Sequence, residues 1–217
     1  MPENFLKFLS FAMTSCSKLQ STPILTCVHV TKDVIEASDN YRMIQCNLSE
    51  ELQVKEFLIP AKSAVEVVKL QPSKISEGKS WIHFETEEGV IISCRVFEEK
   101  YPDLNSLLKV EGERITFPKT LEEVLDRAGI FSKQQNMLDE SVSLTLGEKR
   151  LKIRAESGDG TWFEEEINFN YTGIPIKLQV TPYLLKSIIS ETLDCTLSKY
   201  KLMFEGEGWR YVTALRG

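Results

Sequence analysis

Apolar residues recur at three-and-four spacing near the start of the chain. Phe5, Phe8, Leu9, Ala12, Met13 and Cys16 share one face, while Lys7, Ser10, Thr14, Ser17 and Lys18 fall largely on the other. The spacing predicts an amphipathic helix beginning after Asn4. A second stripe, Leu121, Val124, Leu125, Ala128 and Phe131, follows Thr120. Thr120 with Glu123 reads as a capping box, each side chain answering a free backbone N–H at the helix start. Two more helices open on proline. Pro60 precedes Ala61, Ala64, Val65 and Val68, and Thr181-Pro182 precedes Leu184, Leu185, Ile188 and Ile189. Proline in the first turn loses no hydrogen bond, because its position there has none to make.

Between the helices the period changes from about 3.6 to two. Ile24 to Thr31 and Val34 to Leu48 are rich in β-branched residues, and Val142, Leu144 and Leu146 alternate with Ser143 and Thr145. Gly147-Glu148-Lys149 turns that strand back into Leu151, Ile153 and Ala155, a hairpin with one wet and one buried face. Trp81 to Thr86, Val90 to Val96, Cys195 to Glu205 and Trp209 to Leu215 complete the strands, with Gly206-Glu207-Gly208 as the last turn. The order helix, hairpin, helix, strands therefore occurs twice, about 118 residues apart. The pattern predicts an α+β chain of two tandem domains, residues 1–110 and 111–217.

Composition narrows the class. The 217 residues carry a net charge of −6, which opposes nucleic-acid binding by bulk attraction yet permits a local basic face. No apolar run approaches the roughly 20 residues of a membrane helix. Neither a secretory leader nor a paired-cysteine motif is read. The five cysteines stand singly in apolar patterns, as expected of buried, reduced thiols in a cytoplasmic protein.

Catalytic chemistry has no visible seat. The two histidines, His29 and His83, lie in predicted strands without metal-ligand spacing, and no phosphate-loop or nucleophile motif occurs. Gly158-Asp159-Gly160 reads as a hairpin turn and Glu164-Glu165-Glu166 as an acidic strand edge. Asp39 lacks a second acid or base, so a turn role is expected. No cofactor or metal is implied. What remains is cationic: Lys7 and Lys18 on the first helix, Lys62, Lys69 and Lys74 on the second, Lys119, Arg127 and Lys133 on the third, Lys186 on the fourth. Side by side, such faces would follow a phosphate backbone without reading bases.

Short stretches then match one family in order and spacing. Ala37-Ser38-Asp39-Asn40-Tyr41-Arg42-Met43, Leu58-Ile59-Pro60-Ala61-Lys62, Tyr101-Pro102-Asp103-Leu104, Tyr171-Thr172-Gly173, Tyr183-Leu184-Leu185 and the tail Tyr211 to Arg216 resemble the beta sliding clamp of bacterial DNA polymerase III, over its second and third domains. Asn40 stands where the family has glycine, and Ala214 where it has proline. The resemblance implies clamp domains with two inner helices on outer antiparallel four-stranded sheets, closing into a ring around duplex DNA. It implies a non-enzymatic processivity factor whose DNA-facing set is Lys7, Lys18, Lys62, Lys69, Lys119, Arg127, Lys133 and Lys186. It also implies a pocket for polymerase and clamp-loader peptides at Leu25, Ser38, Asn40, Arg42, Met43, Pro102, Leu107, Thr213 and Leu215. Rings of six such domains would need three copies of a two-domain chain, hence a homotrimer. The alternative is a clamp-like protein that binds clamp partners or subunits without forming a ring.

Overall fold

Four α-helices and fifteen strands make up the described part of the computed structural model, residues 1–135, 137 and 139–216. Two compact units emerge, Met1–Leu107 with Glu207–Arg210, and Leu108–Gly206 with Tyr211–Gly217.

The first unit opens with α1 (Phe5–Met13), whose Phe5, Phe8, Leu9 and Ala12 are buried. A short 3-10 turn at Pro23–Thr26 leads into β1 (Cys27–Val30), β2 (Val34–Ser38) and β3 (Arg42–Asn47). β4 (Phe57–Pro60) then crosses to pair with β1, and Pro60 starts α2 (Ala61–Leu70). The sheet is antiparallel in the order β4-β1-β2-β3. After α2 the chain makes β5 (Lys74–Gly78), β6 (Trp81–Glu85) and β7 (Ile91–Arg95), a three-stranded meander. α1 packs on β1, β2, β3 and α2. Its Phe5 ring also lies 6.2 Å from Phe84 of β6, so one helix seals both sheets.

The second unit follows a fuller version of this plan. β8 (Glu113–Thr116) precedes α3 (Leu121–Phe131), then come β9 (Val142–Gly147), β10 (Arg150–Glu156) and β11 (Trp162–Asn168). β12 (Ile176–Val180) precedes α4 (Pro182–Ile189), followed by β13 (Asp194–Leu197), β14 (Lys201–Gly206) and β15 (Trp209–Ala214). Strand, helix and three strands thus occur twice, and each leading strand pairs with the other set: β12 with β9, β8 with β13. Val142, Leu144, Leu146, Leu151 and Ile153 are fully buried beneath α3, as their period-two spacing requires.

Several expectations change. α1 ends at Met13, so Cys16 and Lys18 lie beyond it. Thr120 makes no side-chain cap, because its backbone is already helical (φ −74°, ψ −7°) rather than extended as a cap requires. Ile24 belongs to the 3-10 turn. The run Cys195 to Glu205 is broken at residues 198–200, where the Ser198 N–H bonds back to the Lys201 carbonyl. Val34 to Leu48 breaks likewise at residues 39–41. Lys74 lies on a strand, and the second sheet of the first unit has three strands rather than four. β4, β5, β8 and β12 are not among the expected strands, although Ile176, Leu178 and Val180 of β12 alternate with Lys177 and Gln179.

Candidate functional site

The cationic residues fall into two groups once their elements are fixed. Lys7 on α1, Lys62 and Lys69 on α2, Arg127 on α3 and Lys186 on α4 are helical. Lys18 follows α1, Lys119 precedes α3 and Lys133 follows it, so these three sit at helix ends rather than on helix faces. α1 touches α2, and α3 touches α4, which brings cations of each helix pair onto one layer of their own unit. Four of the eight are already paired. Lys69 bonds Glu66 at 2.9 Å, Lys133 bonds Glu140 at 3.4 Å, and Lys186 bonds Asp126 across the two helices. Arg127 holds Glu165 of β11 through both Nε (3.0 Å) and Nη2 (2.7 Å), which tethers α3 to the sheet. Lys7 is exposed, 6.0 Å over the Phe8 ring. Lys62 and Lys119 have no ion pair among the described residues.

The residues carried over as a peptide pocket are also sorted by the fold. Ser38, Asn40, Arg42 and Met43 come together at the β2–β3 turn, built around a buried Asp39. Asp39 Oδ1 accepts the N–H groups of Tyr41 (3.1 Å) and Arg42 (3.0 Å), and Oδ2 accepts Arg42 Nε at 2.9 Å. Arg42 Nη2 donates onward to the Thr14 carbonyl, tying the turn to the end of α1. Asn40 takes a left-handed backbone (φ 74°), which asparagine tolerates and most residues do not. The turn role expected of Asp39 is what its geometry shows. Met43 is 1% exposed and Arg42 3%, so neither presents much surface. Leu25 is buried with Cys27, Leu58 and Tyr101. Pro102 and Leu107 are exposed, on the segment that follows β7. In the second unit Thr213 is buried in β15, and Leu215 is half-buried with its N–H on the Tyr200 carbonyl.

A polar row that sequence reading missed fixes the segment carrying Pro102 and Leu107. His29 Nδ1 lies 2.9 Å from Glu36 Oε1, Glu36 Oε2 accepts Gln45 Nε2 at 3.1 Å, and the same Nε2 reaches Asn105 Oδ1 at 3.1 Å. Tyr101 stacks on His29 with centroids 4.8 Å apart. These residues are neighbours only because β1, β2 and β3 set His29 opposite Glu36 and Glu36 opposite Gln45. No spacing in the sequence encodes that register.

Other titratable groups are structural. Glu164 lies opposite Arg154 and Glu166 opposite Lys152 in a cross-strand ladder that Arg150 joins diagonally, and hydrogen bonds from Lys152 and Arg150 hold the two carboxyls below the usual range. Ser157 and the Thr161 N–H pull Asp159 down to about 2 in its hairpin turn. All five cysteines are buried and free, and burial pushes the Cys46 thiol up to about 12. No group of three His, Cys, Asp or Glu side chains among the described residues could hold a metal. No helix among the described residues is long and apolar enough to cross a membrane.

Comparison with known proteins follows this geometry. No protein-family model matches the chain. A beta sliding clamp of Buchnera aphidicola is 29% identical over 170 residues, 72% of this chain and 45% of that protein. The chain resembles the beta sliding clamps. A clamp of Haemophilus influenzae is 27% identical over 146 residues, 63% of the chain and 39% of its own length. The crystal structure of the DNA polymerase sliding clamp from Bacillus subtilis superposes on all of this chain and 63% of its own, with TM-score 0.82 at 19% identity, a likeness of fold. The chain thus spans less than half the length of the curated clamps it matches.

Proposed function

We propose that this protein is a non-enzymatic DNA sliding clamp, a processivity factor of the cytoplasm that encircles duplex DNA and tethers a polymerase. The observation that carries the reading is the agreement between sequence similarity to beta sliding clamps and a clamp fold that covers the whole chain. In support, each unit pairs two helices that bear cations. Lysine contacts to phosphates position a protein without reading sequence, which suits a mobile ring. Lys7, Lys62 and Lys119 are the cations best placed for this, since Lys69, Arg127, Lys133 and Lys186 are held by carboxylates.

Partner peptides would bind beside the β2–β3 turn, where the exposed Pro102, Leu107 and Asn40 are the contact residues and Ser38, Arg42 and Met43 their support. Leu25 belongs to the same proposed site. Self-association would use exposed apolar side chains, Ile91 on edge strand β7 (59% exposed) and Ile130 on α3 (68%). Two domains per chain make a homotrimer the ring of six.

The test is assembly and topology together. Light scattering should give a mass three times the 24.8 kDa chain. A clamp loader should leave the protein on closed circular DNA, from which linearisation releases it. A monomer at every concentration that no loader places on DNA would leave the second reading: a clamp-like protein that binds clamp partners without a ring.

A further inference from the structure

In the second unit, strands β8, β13 and β14 carry a cavity of about 450 Å³ on their outer face, within the size range of ligand sites. Six side chains give it its chemistry: Arg114 and Thr116 of β8, Asp194 and Thr196 of β13, Met203 and Glu205 of β14. Strand register sorts them into two rows. Arg114 lies opposite Thr196, and Thr196 opposite Met203. Thr116 lies opposite Asp194, and Glu205 comes one step past the Cys195–Phe204 pair, beside Asp194. Period-two alternation turns Cys195 (5% exposed) and Phe204 (0%) into the core and leaves the two rows outside.

The polar groups of this cavity are largely unspent. Asp194 Oδ1 accepts the Thr116 hydroxyl at 2.5 Å, but neither Asp194 nor Glu205 has an ion pair among the described residues. Like charges side by side on neighbouring strands repel, and a cation set between them relieves this. Arg114 likewise has no ion pair among the described residues, so the guanidinium and the two carboxylates line one cavity without bridging it. Thr196 and Met203 are each only 9% exposed. The Thr196 hydroxyl makes no hydrogen bond among the described residues, although its side chain lines the cavity. The cavity thus offers a place for a cation and a place for an anion, one residue pair apart along the strands, with a hydroxyl and a thioether between.

An extended chain repeats that spacing. Its residues i and i+2 project to one side about 7 Å apart, as do the two rows. A lysine or arginine at one of these positions would set its charge between Asp194 and Glu205 and lay its methylene stem on Met203. An acidic residue at the other would meet Arg114. We propose that this cavity binds an extended segment of a partner protein in which a basic and an acidic residue stand two positions apart. The site shares no residue with the β2–β3 turn or the helix cations, and it depends neither on a ring nor on DNA.

The probe is a synthetic peptide with a Lys-Thr-Glu core, flanked by glycines and blocked at both ends, titrated into the whole protein labelled at its methionine methyls. The Met203 resonance, assigned with Met203→Leu, should shift saturably. A Lys-Glu-Thr peptide, whose charges project to opposite sides, should bind at least about threefold more weakly. Arg114→Glu and Glu205→Lys should each weaken the Lys-Thr-Glu peptide about two- to fivefold, and a Lys-Thr-Lys peptide should recover binding to Arg114→Glu. Both residues are exposed, so the variants keep their fold, which their unfolding midpoints check. A Met203 resonance unmoved at millimolar peptide overturns the proposal. So does an equal shift from free lysine at the same concentration, which would make the cavity a site for a small zwitterion rather than for a protein segment.

Discussion

At Asp39 a single buried carboxylate answers two backbone N–H groups and the guanidinium of Arg42. Both side chains of the pair are nearly inaccessible, 7% for Asp39 and 1% for Arg42. Removing one member of such a pair leaves the other charge buried without a partner. Asp39→Ala should therefore cost about 3–5 kcal/mol, read as a lower urea midpoint. Asn40→Gly should change stability by less than about 1 kcal/mol, because glycine enters the left-handed region freely. The sequence made this turn legible: Ser38-Asp39-Asn40 is turn chemistry, and Asn40 marks the left-handed position. It did not show that Arg42 points inward to the Thr14 carbonyl, because that bond joins residues 28 apart.

The helices explain which cations remain available. Glu66, Asp126, Glu140 and Glu165 are each close enough to neutralise one of the eight basic residues, and two of the four, Asp126 and Glu165, lie on a different element from their cation. Arg127 in particular serves packing, its planar fork matched to Glu165. In a titration of duplex DNA against salt, Lys7→Glu, Lys62→Glu and Lys119→Glu should each weaken binding and lower the slope of log K against log salt by about 0.9 or more. Arg127→Ala should leave that slope within error and instead loosen α3 on β11. An unchanged slope in all three lysine variants would remove these residues from the DNA surface. Helix periodicity located α1 to α4 from their apolar faces. It placed Lys18 and Lys133 on helices that had already ended, because the stopping points depend on backbone bonds such as Ser17 N–H to Leu25 carbonyl at 2.7 Å.

Across the whole molecule the buried thiols make stability depend on alkaline pH. Burial raises Cys16, Cys46 and Cys195 in the folded protein, Cys46 to about 12, and raises Tyr101 as well. In the unfolded chain a thiol ionises near about pH 8.5. The folded state therefore binds more protons above that pH, and the stability these groups contribute is present below it and lost as pH rises toward 12. The unfolding midpoint should fall steadily from about pH 9 upward, and Cys46→Ala should flatten part of that decline. A midpoint level from pH 8 to pH 11 would show that the thiols ionise without unfolding.

The sequence by itself determined the repeated order of helices and hairpins, the buried faces and the Asp39 turn. These are set by neighbours within a few residues, through helix and strand periods and local hydrogen bonds. Tertiary structure alone decided the His29–Glu36–Gln45 row, the carboxylates that occupy Arg127 and Lys186, and the pairing that covers β13 with β8. Those depend on strand register and on contacts between residues far apart in the chain, which come into being only when the sheets form.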